Sequence, residues 1–244
     1  MQRWLVVCLT LLVSVAGGVR QARAELPLDS IQDDKARAAL RNIGLQLVFQ
    51  SYPAARRNAE NFGWNVFNLG TKDKAPELAY SFALQAVAEV YMGIDRDALW
   101  HWESAQLILP ELRFDVMRSY GEIVSVFDGS PFSTRESAES YLQEKGVWLS
   151  QGEKVTPPRA LDRVSAPMPH KRSGSIAGEK VRVSFLVGTD GRVYSPRIES
   201  SGNSVLATFS ALRVLNRWIY EPGQADGVPK WAPATAIFSF QKHK

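Results

Sequence analysis

The chain of 244 residues contains a single cysteine, Cys8, and only three histidines. Cys8 lies in an apolar run, residues 4–16, which is shorter than the ~20 residues that a transmembrane helix needs. The Ala-Arg-Ala sequence that follows is typical of a signal-peptidase site and predicts cleavage between Ala24 and Glu25. Residues 1–24 are therefore predicted to be a signal peptide, and the exported chain to contain no cysteine. This excludes disulfides and thiolate metal sites. The alternative is an uncleaved membrane anchor, which N-terminal sequencing would distinguish.

Motifs of catalysis and of metal or cofactor binding are also lacking. The three histidines have no metal-ligand spacing, and there is no glycine pattern of the phosphate-binding kind. The serine in Gly-Ser-Ile-Ala-Gly, residues 174–178, does not stand at the centre of a nucleophile elbow. His101, between two tryptophans, is expected to be a structural or surface residue rather than a general base. We therefore predict a non-enzymatic protein with no cofactor and no metal. A periplasmic hydrolase that depends on His101 is a further hypothesis.

A strong net charge is absent once the signal peptide is removed. The full chain carries 29 basic and 25 acidic residues, and residues 1–24 hold three arginines and no acid, which leaves 26 against 25. Binding to nucleic acid is therefore not indicated. The charge is uneven, because residues 25–152 hold 12 basic and 18 acidic residues whereas residues 153–244 hold 14 and 7. Either the two halves attract each other, or the basic half faces an acidic partner, or the difference is a chance of surface composition.

The first half of the chain shows helical periodicity. Between residues 31 and 144, apolar residues recur at spacings of three and four, for example Leu40, Ile43 and Leu47. Short links rich in glycine and proline interrupt this pattern. Helices of about 12 to 17 residues joined by short links predict antiparallel helical hairpins.

One hairpin resembles a tetratricopeptide repeat. In the helix that begins near Asp95, Ala98, Trp102, Ala105 and Pro110 follow the small–aromatic–small–proline pattern of the second helix of such a repeat. The alternative is a helical bundle without repeats that uses the same packing. Residues two apart lie on different faces of a helix, so Trp102 is predicted to enter the core. Trp100 is then expected to be either an interface residue or a contact with a flanking helix.

The second half of the chain contains the alternating apolar and polar pattern of a small β-sheet. Residues 151–178 contain four prolines and are predicted to be an extended linker. Val181, Val183, Phe185 and Val187 then alternate with polar residues, which indicates a strand that is buried on one face. A Thr-Asp-Gly turn at residues 189–191 and a returning strand follow.

The remaining segments predict one helix and one further strand. Ser204 is a predicted N-cap, and the apolar stripe after it extends to Ile219. Arg213, Asn216 and Arg217 are expected to face outward. Residues 232–240 form a third predicted strand, and Trp218 is expected to seal the end of the helix against the sheet.

An ordered series of short motifs covers residues 157–241. It consists of Pro-Met-Pro, the alternating strand, Thr-Asp-Gly-Arg-Val, Ser-Ser-Gly before the helix, Arg-Trp-Ile-Tyr-Glu-Pro-Gly after it, Asp-Gly-Val-Pro and a closing Ala-Ile-Phe-Ser-Phe. The series resembles the C-terminal domain of TonB-type energy transducers. The resemblance implies that an edge of the sheet pairs with an N-terminal peptide of an outer-membrane receptor. The candidate partner-binding strand comprises Thr235, Ala236, Ile237, Phe238, Ser239 and Phe240.

The sequence thus predicts an α+β protein with four segments. These are a signal peptide (1–24), an all-α helical-hairpin domain resembling tetratricopeptide repeats (25–150), a linker (151–178) and a small ββαβ domain resembling the TonB C-terminal domain (179–244). The predicted function is peptide binding by strand addition in the periplasm, with a TonB-dependent receptor or another envelope protein as partner. A second protein partner is expected at the helical domain, whereas no nucleic acid or small-molecule substrate is expected.

Two alternatives stay open. One is a membrane-anchored energy transducer for outer-membrane transport. The other is a plain sheet edge that Pro233 and the terminal Lys242 and Lys244 protect from pairing.

Overall fold

The structure, a computed structural model, describes residues 26–241 except 27, 72, 114–119, 121–126, 128–129, 133, 151–153, 171–174 and 203. The predicted signal peptide, Lys242 and Lys244 lie outside the described residues. In the described part, the helices are α1 (Asp34–Val48), α2 (Tyr52–Leu69), α3 (Ala75–Tyr91), α4 (Asp95–Ile108), α5 (Arg135–Glu144) and α6 (Val205–Leu215). The strands are β1 (Val155–Thr156), β2 (Arg159–Asp162), β3 (Lys180–Val187), β4 (Val193–Ser201), β5 (Ile219–Glu221), β6 (Gly223–Ala225), β7 (Val228–Lys230) and β8 (Ala232–Ser239). A helical region precedes a strand-rich one, so the predicted α+β class is confirmed.

The helical region is built from consecutive packed helices. α2 ends at Gly70, which takes a left-handed conformation with φ 66°, and α3 begins with a proline in its first turn. α3 is the central helix, because α2 and α4 both pack along it. It is accordingly buried nearly all round, including the polar residues Glu77, Gln85 and Glu89.

The main sheet is antiparallel, with strand order β4-β3-β8. β3 is therefore the central strand, and α6 packs against β3 and β4. β4 contains an irregularity at Ser195, which is buried and has φ 45°. The order matches the predicted ββαβ arrangement and leaves β8 at an edge of the sheet.

Residues 151–178 contain strands as well as an extended segment. β1 pairs with β6 and β2 pairs with β5, both antiparallel. Sequence reasoning did not predict these two small sheets, because two- to four-residue strands with exposed side chains show no periodicity. The segment is attached to the C-terminal region along much of its described length.

α6 is shorter than the sequence pattern predicts. Asn216 caps the helix, and the N–H groups of Arg217 and Trp218 then bond to carbonyls three residues back. Ile219 therefore begins β5 and is exposed rather than lying on the buried side of the helix. The residues after the helix make tertiary contacts instead, since the N–H of Tyr220 donates to the carbonyl of Gly191 at 2.9 Å and β5 pairs with β2.

α6 also packs against the helical region, which corrects the expectation that Arg213 faces outward. Phe209 is fully buried, and its ring centroid lies 5.9, 5.8 and 5.0 Å from those of Trp64, Phe67 and Phe82. Arg213 is buried beside it and donates to Oε1 of Gln85 at 2.8 Å. The two regions therefore share one apolar core.

Ion pairs join the two oppositely charged halves of the chain. Glu60 pairs with both Arg213 and Arg217, and Glu136 pairs with Arg197 at 3.1 Å. These contacts agree with the idea that the halves attract each other.

Both tryptophans of α4 are buried, which differs from the prediction that only one enters the core. Trp100 is 1% exposed and Trp102 is 3% exposed. Trp102 stacks on Phe127 with 5.5 Å between ring centroids. The reason is that α4 is covered on more than one side, by α3, β4 and α6.

Candidate functional site

β8 forms backbone pairs with one neighbour in the described part of the chain. Its eight residues pair with β3 in continuous antiparallel register, from Ala232 opposite Val187 to Ser239 opposite Lys180. Among the described residues, no second strand pairs with the other side of β8. Backbone bonds to Val147 and Leu149 cover that side only at Trp231, the residue before β8. β8 is therefore an edge strand, as the sequence predicts.

The direction of each backbone N–H along β8 follows from the pairing. The N–H of Phe240 donates to the carbonyl of Glu179 at 3.0 Å, so Phe240 faces β3. In an antiparallel pair, backbone groups alternate in direction from one residue to the next. The N–H and C=O groups of Thr235, Ile237 and Ser239 therefore point to the free side. Pro233 has no N–H and occupies an outward position as well, where an edge strand tolerates proline.

The side chains of the predicted partner-binding strand divide between two faces. Those of Ala236, Phe238 and Phe240 are buried beneath the sheet, and those of Thr235, Ile237 and Ser239 are exposed on its other face. Ile237 is 55% exposed, a high value for an isoleucine in a strand. The six predicted residues thus lie in one strand, and their side chains alternate between the core and the exposed face of the sheet.

A groove lies beside the free side of β8. Its second wall is the segment of residues 163–168, which follows β2. Two hydrogen bonds fix this wall: Nε1 of Trp218 donates to the carbonyl of Val164, and Oγ of Ser210 donates to that of Pro167, each at 2.9 Å. Among the described residues, no hydrogen bond joins the wall to β8. The space between them has a volume of about 510 Å³, within the usual range of ligand-binding clefts.

The groove has a mixed lining. Its apolar part contains the rings of Trp218 and Phe238, which lie 5.2 Å apart, together with Ala166, Met168 and Phe240. Polar residues, among them Ser165 and Gln241, form the rest. The apolar part would exclude water from an apolar side chain of a guest peptide.

Sequence reasoning assigned the second wall to the linker and therefore missed Arg163, Val164 and Met168 as site residues. The apolar residues Leu161 and Val164 stand out in retrospect, because they are 58% and 39% exposed. Ile219 in the neighbouring strand β5 is 37% exposed. Apolar residues within a polar, proline-containing segment are the only sequence signal that pointed to this wall.

The face of the helical region that contacts α6 is not available to a second partner. Phe209 and Arg213 of α6 occupy it, as described above. The expected second partner at the helical domain would therefore have to bind elsewhere on its surface.

His101 is buried in the helical region, and its position does not indicate a catalytic base. Its Nδ1 atom lies 2.6 Å from Oε2 of Glu89, whose Oε1 accepts from Nε of Arg56 at 2.6 Å. The ring also stacks on Phe82 with 5.5 Å between centroids. Only 4% of His101 is exposed, so a substrate would have no direct access to it.

In the part of the chain that the structure describes, no three histidine, cysteine or acidic side chains come together in a way that would hold a metal ion. None of its helices combines the length and apolar character needed to cross a membrane.

Comparison with known proteins adds a weak structural likeness. No family model matches the chain, and no curated protein matches it. Among solved structures, the chain is similar to the solution NMR structure of a Pseudomonas aeruginosa TonB CTD, with 20% sequence identity and a TM-score of 0.29. The match covers 36% of this chain and 92% of that one. At this TM-score the likeness carries no argument, so the function has to be argued from the geometry of β8 and its groove.

Proposed function

We propose that this chain is a non-enzymatic periplasmic interaction protein that binds an extended peptide by strand addition to β8. The observation that carries the proposal is the row of outward N–H and C=O groups at Thr235, Ile237 and Ser239, next to a groove whose lining is partly apolar. A guest strand would bond to these groups while its alternate side chains enter the groove. The backbone bonds supply affinity, and the groove supplies selectivity.

The proposed partner is a TonB-dependent outer-membrane receptor or another protein of the cell envelope. This part rests on the resemblance of residues 157–241 to the C-terminal domain of TonB-type energy transducers and on the predicted signal peptide. In that family the corresponding sheet edge is implied to pair with a receptor peptide. The exposed edge and the fixed second wall supply a physical route for the same mode of binding.

The test is a selection of displayed nine-residue peptides on the full chain, followed by measurement of their binding to two variants. Ile237→Pro removes an outward N–H without touching the bonds to β3. We expect binding to weaken by about 10-fold or more, because the guest loses one backbone bond and retains an unpaired carbonyl. Ile237→Thr keeps the N–H group and is expected to change binding by less than about 3-fold.

Circular dichroism of both variants would establish that the fold is retained. If the selection yields no binder, or if the selected peptides bind Ile237→Pro as tightly as the wild type, the proposed function is wrong.

A further inference from the structure

The first of three exposed cations near the free edge lies at the rim of the groove. Arg163 is exposed, and it is the only charged side chain among the described residues that line the groove. Its guanidinium lies 5.4 Å from the ring centroid of Trp218. This contact holds the charge at the rim, above an apolar floor.

Two more cations lie on the exposed face of the sheet, one strand away from the free edge. Lys180 is directly opposite Ser239 and Arg182 is directly opposite Ile237. A guest strand beside β8 would lie about 10 Å from the β3 backbone, which is two strand spacings. Both side chains are long enough to cover part of that distance. The remaining gap between their charges and the guest strand is comparable to the screening length of ~8 Å at physiological salt.

None of these three cations forms an ion pair with a carboxylate of the described residues. By contrast, several arginines nearby are paired with glutamates: Arg159 with Glu221, Arg197 with Glu136, and Arg213 and Arg217 with Glu60. The neighbouring carboxylates Asp162 and Glu179 do not line the groove. Glu136, Glu139 and Glu199 line a separate cavity with Thr235, toward the other end of β8. The end of the free edge at Ile237 and Ser239 is thus bordered by three cations that form no ion pair with a carboxylate of the described residues.

From this arrangement we infer that the guest of β8 is an acidic peptide in which apolar side chains alternate with aspartate or glutamate. The inference rests on the proposed function, because it assumes that a strand adds to β8. Successive side chains of that strand point to opposite faces. The guest side chains that face Trp218 and Phe238 are apolar. Those that lie on the face of Ile237 and Arg182 are acidic.

The experiment uses the full chain and three fluorescein-labelled nine-residue peptides. These alternate valine with aspartate, with asparagine or with lysine, and binding is measured by fluorescence anisotropy at low and at high salt. We expect the aspartate peptide to bind about 3- to 30-fold more tightly than the asparagine peptide, as two partly exposed charge contacts would produce. High salt should reduce this preference.

Variants show whether the named cations cause the preference. The double variant Arg163→Gln, Arg182→Gln is expected to lose it. Arg192→Gln is the matched control, because it removes the same charge from the exposed turn between β3 and β4, and it is expected to keep the preference.

The outcomes separate this inference from the proposed function. If all three peptides bind equally and Ile237→Pro abolishes binding, or if the double variant keeps the aspartate preference, the inference is wrong and strand addition stands. If none of the three peptides binds while selected peptides bind the wild type and not Ile237→Pro, the inference is wrong and strand addition stands; if selected peptides fail as well, both are wrong. If the wild type self-associates in analytical ultracentrifugation and Ile237→Pro does not, the edge is taken by a second copy of the chain, and the inference of an acidic guest is wrong.

Discussion

Phe209 is the side chain through which α6 joins the helical region, and its truncation gives the sharpest test of the shared core. It is fully buried among Trp64, Phe67 and Phe82, all of which belong to the other half of the chain. Replacing a buried phenylalanine with alanine typically costs ~3–5 kcal/mol, because apolar contact is lost and a cavity remains. The total free energy of unfolding of a domain is ~5–15 kcal/mol, so the loss is a large fraction of it.

The assay is urea denaturation of wild type and Phe209→Ala, followed both by far-ultraviolet circular dichroism and by tryptophan fluorescence. We expect the free energy of unfolding to fall by ~3–5 kcal/mol and Tm to fall by about 6–20 °C. Both probes should report one coincident transition. Phe49→Ala is the matched control, since Phe49 is 70% exposed, and its effect should stay within ~0.5 kcal/mol. A loss below ~1 kcal/mol for Phe209→Ala, or separate transitions in the wild type, would refute the shared core.

Two further predictions concern stability. Gly191 has φ 74°, and a Cβ atom there would lie 2.2 Å from the carbonyl oxygen of Tyr220. Gly227 has a similar φ of 81° but open space around it. Gly191→Ala should therefore destabilise the protein by more than Gly227→Ala. Equal Tm values for the two variants would contradict this. Burial raises the pKa of Glu103 well above its usual value, so the native state holds a proton that the unfolded state releases as the pH rises past the ordinary carboxyl range. The free energy of unfolding therefore falls as the pH rises from acid toward neutral. In urea titrations at several pH values, Glu103→Gln should show a smaller fall than the wild type. An equal fall in both proteins would show that Glu103 does not cause it.

The sequence allowed the long, strongly periodic elements to be predicted. The alternation from Val181 to Val187 and the Thr-Asp-Gly turn correspond to β3 and the turn after it. The apolar face of β8 follows the same rule, because Ala236, Phe238 and Phe240 are buried. The period-two pattern of burial holds in β3 only from Lys180 to Val183, because Ser184 and Leu186 are buried as well. Leu186 packs against Ala138 and Leu142 of α5, which covers the second face of the sheet there.

Features that depend on distant contacts could not be predicted. Arg213 has the helical spacing of an outward residue, yet the packing of α6 against the helical region buries it. Burial of this guanidinium lowers its pKa to about 10, although the charge of Glu60 opposes that shift. Tyr220, shortly after α6, bonds to the carbonyl of Gly191 in the turn between β3 and β4. Neither contact leaves a local sequence signal.

The candidate site was predicted only in part for the same reason. Thr235, Ile237 and Ser239 were recognisable as one side of an edge strand. The second wall was not, because Val164 lies in a segment without periodicity that only Trp218 and Ser210 bring to the sheet. The groove therefore became visible only in the folded chain.

The central claim is that a guest strand bonds to the free side of β8, and amide hydrogen exchange measured by NMR tests it most directly. A selected peptide is added to the full chain, and the exchange rates of the β8 amides are compared with and without it. Strand addition predicts that exchange slows at Thr235, Ile237 and Ser239, whose N–H groups face outward, while Ala236 and Phe238, which already bond to β3, change little. Unchanged exchange at those three amides in the presence of bound peptide would contradict the account.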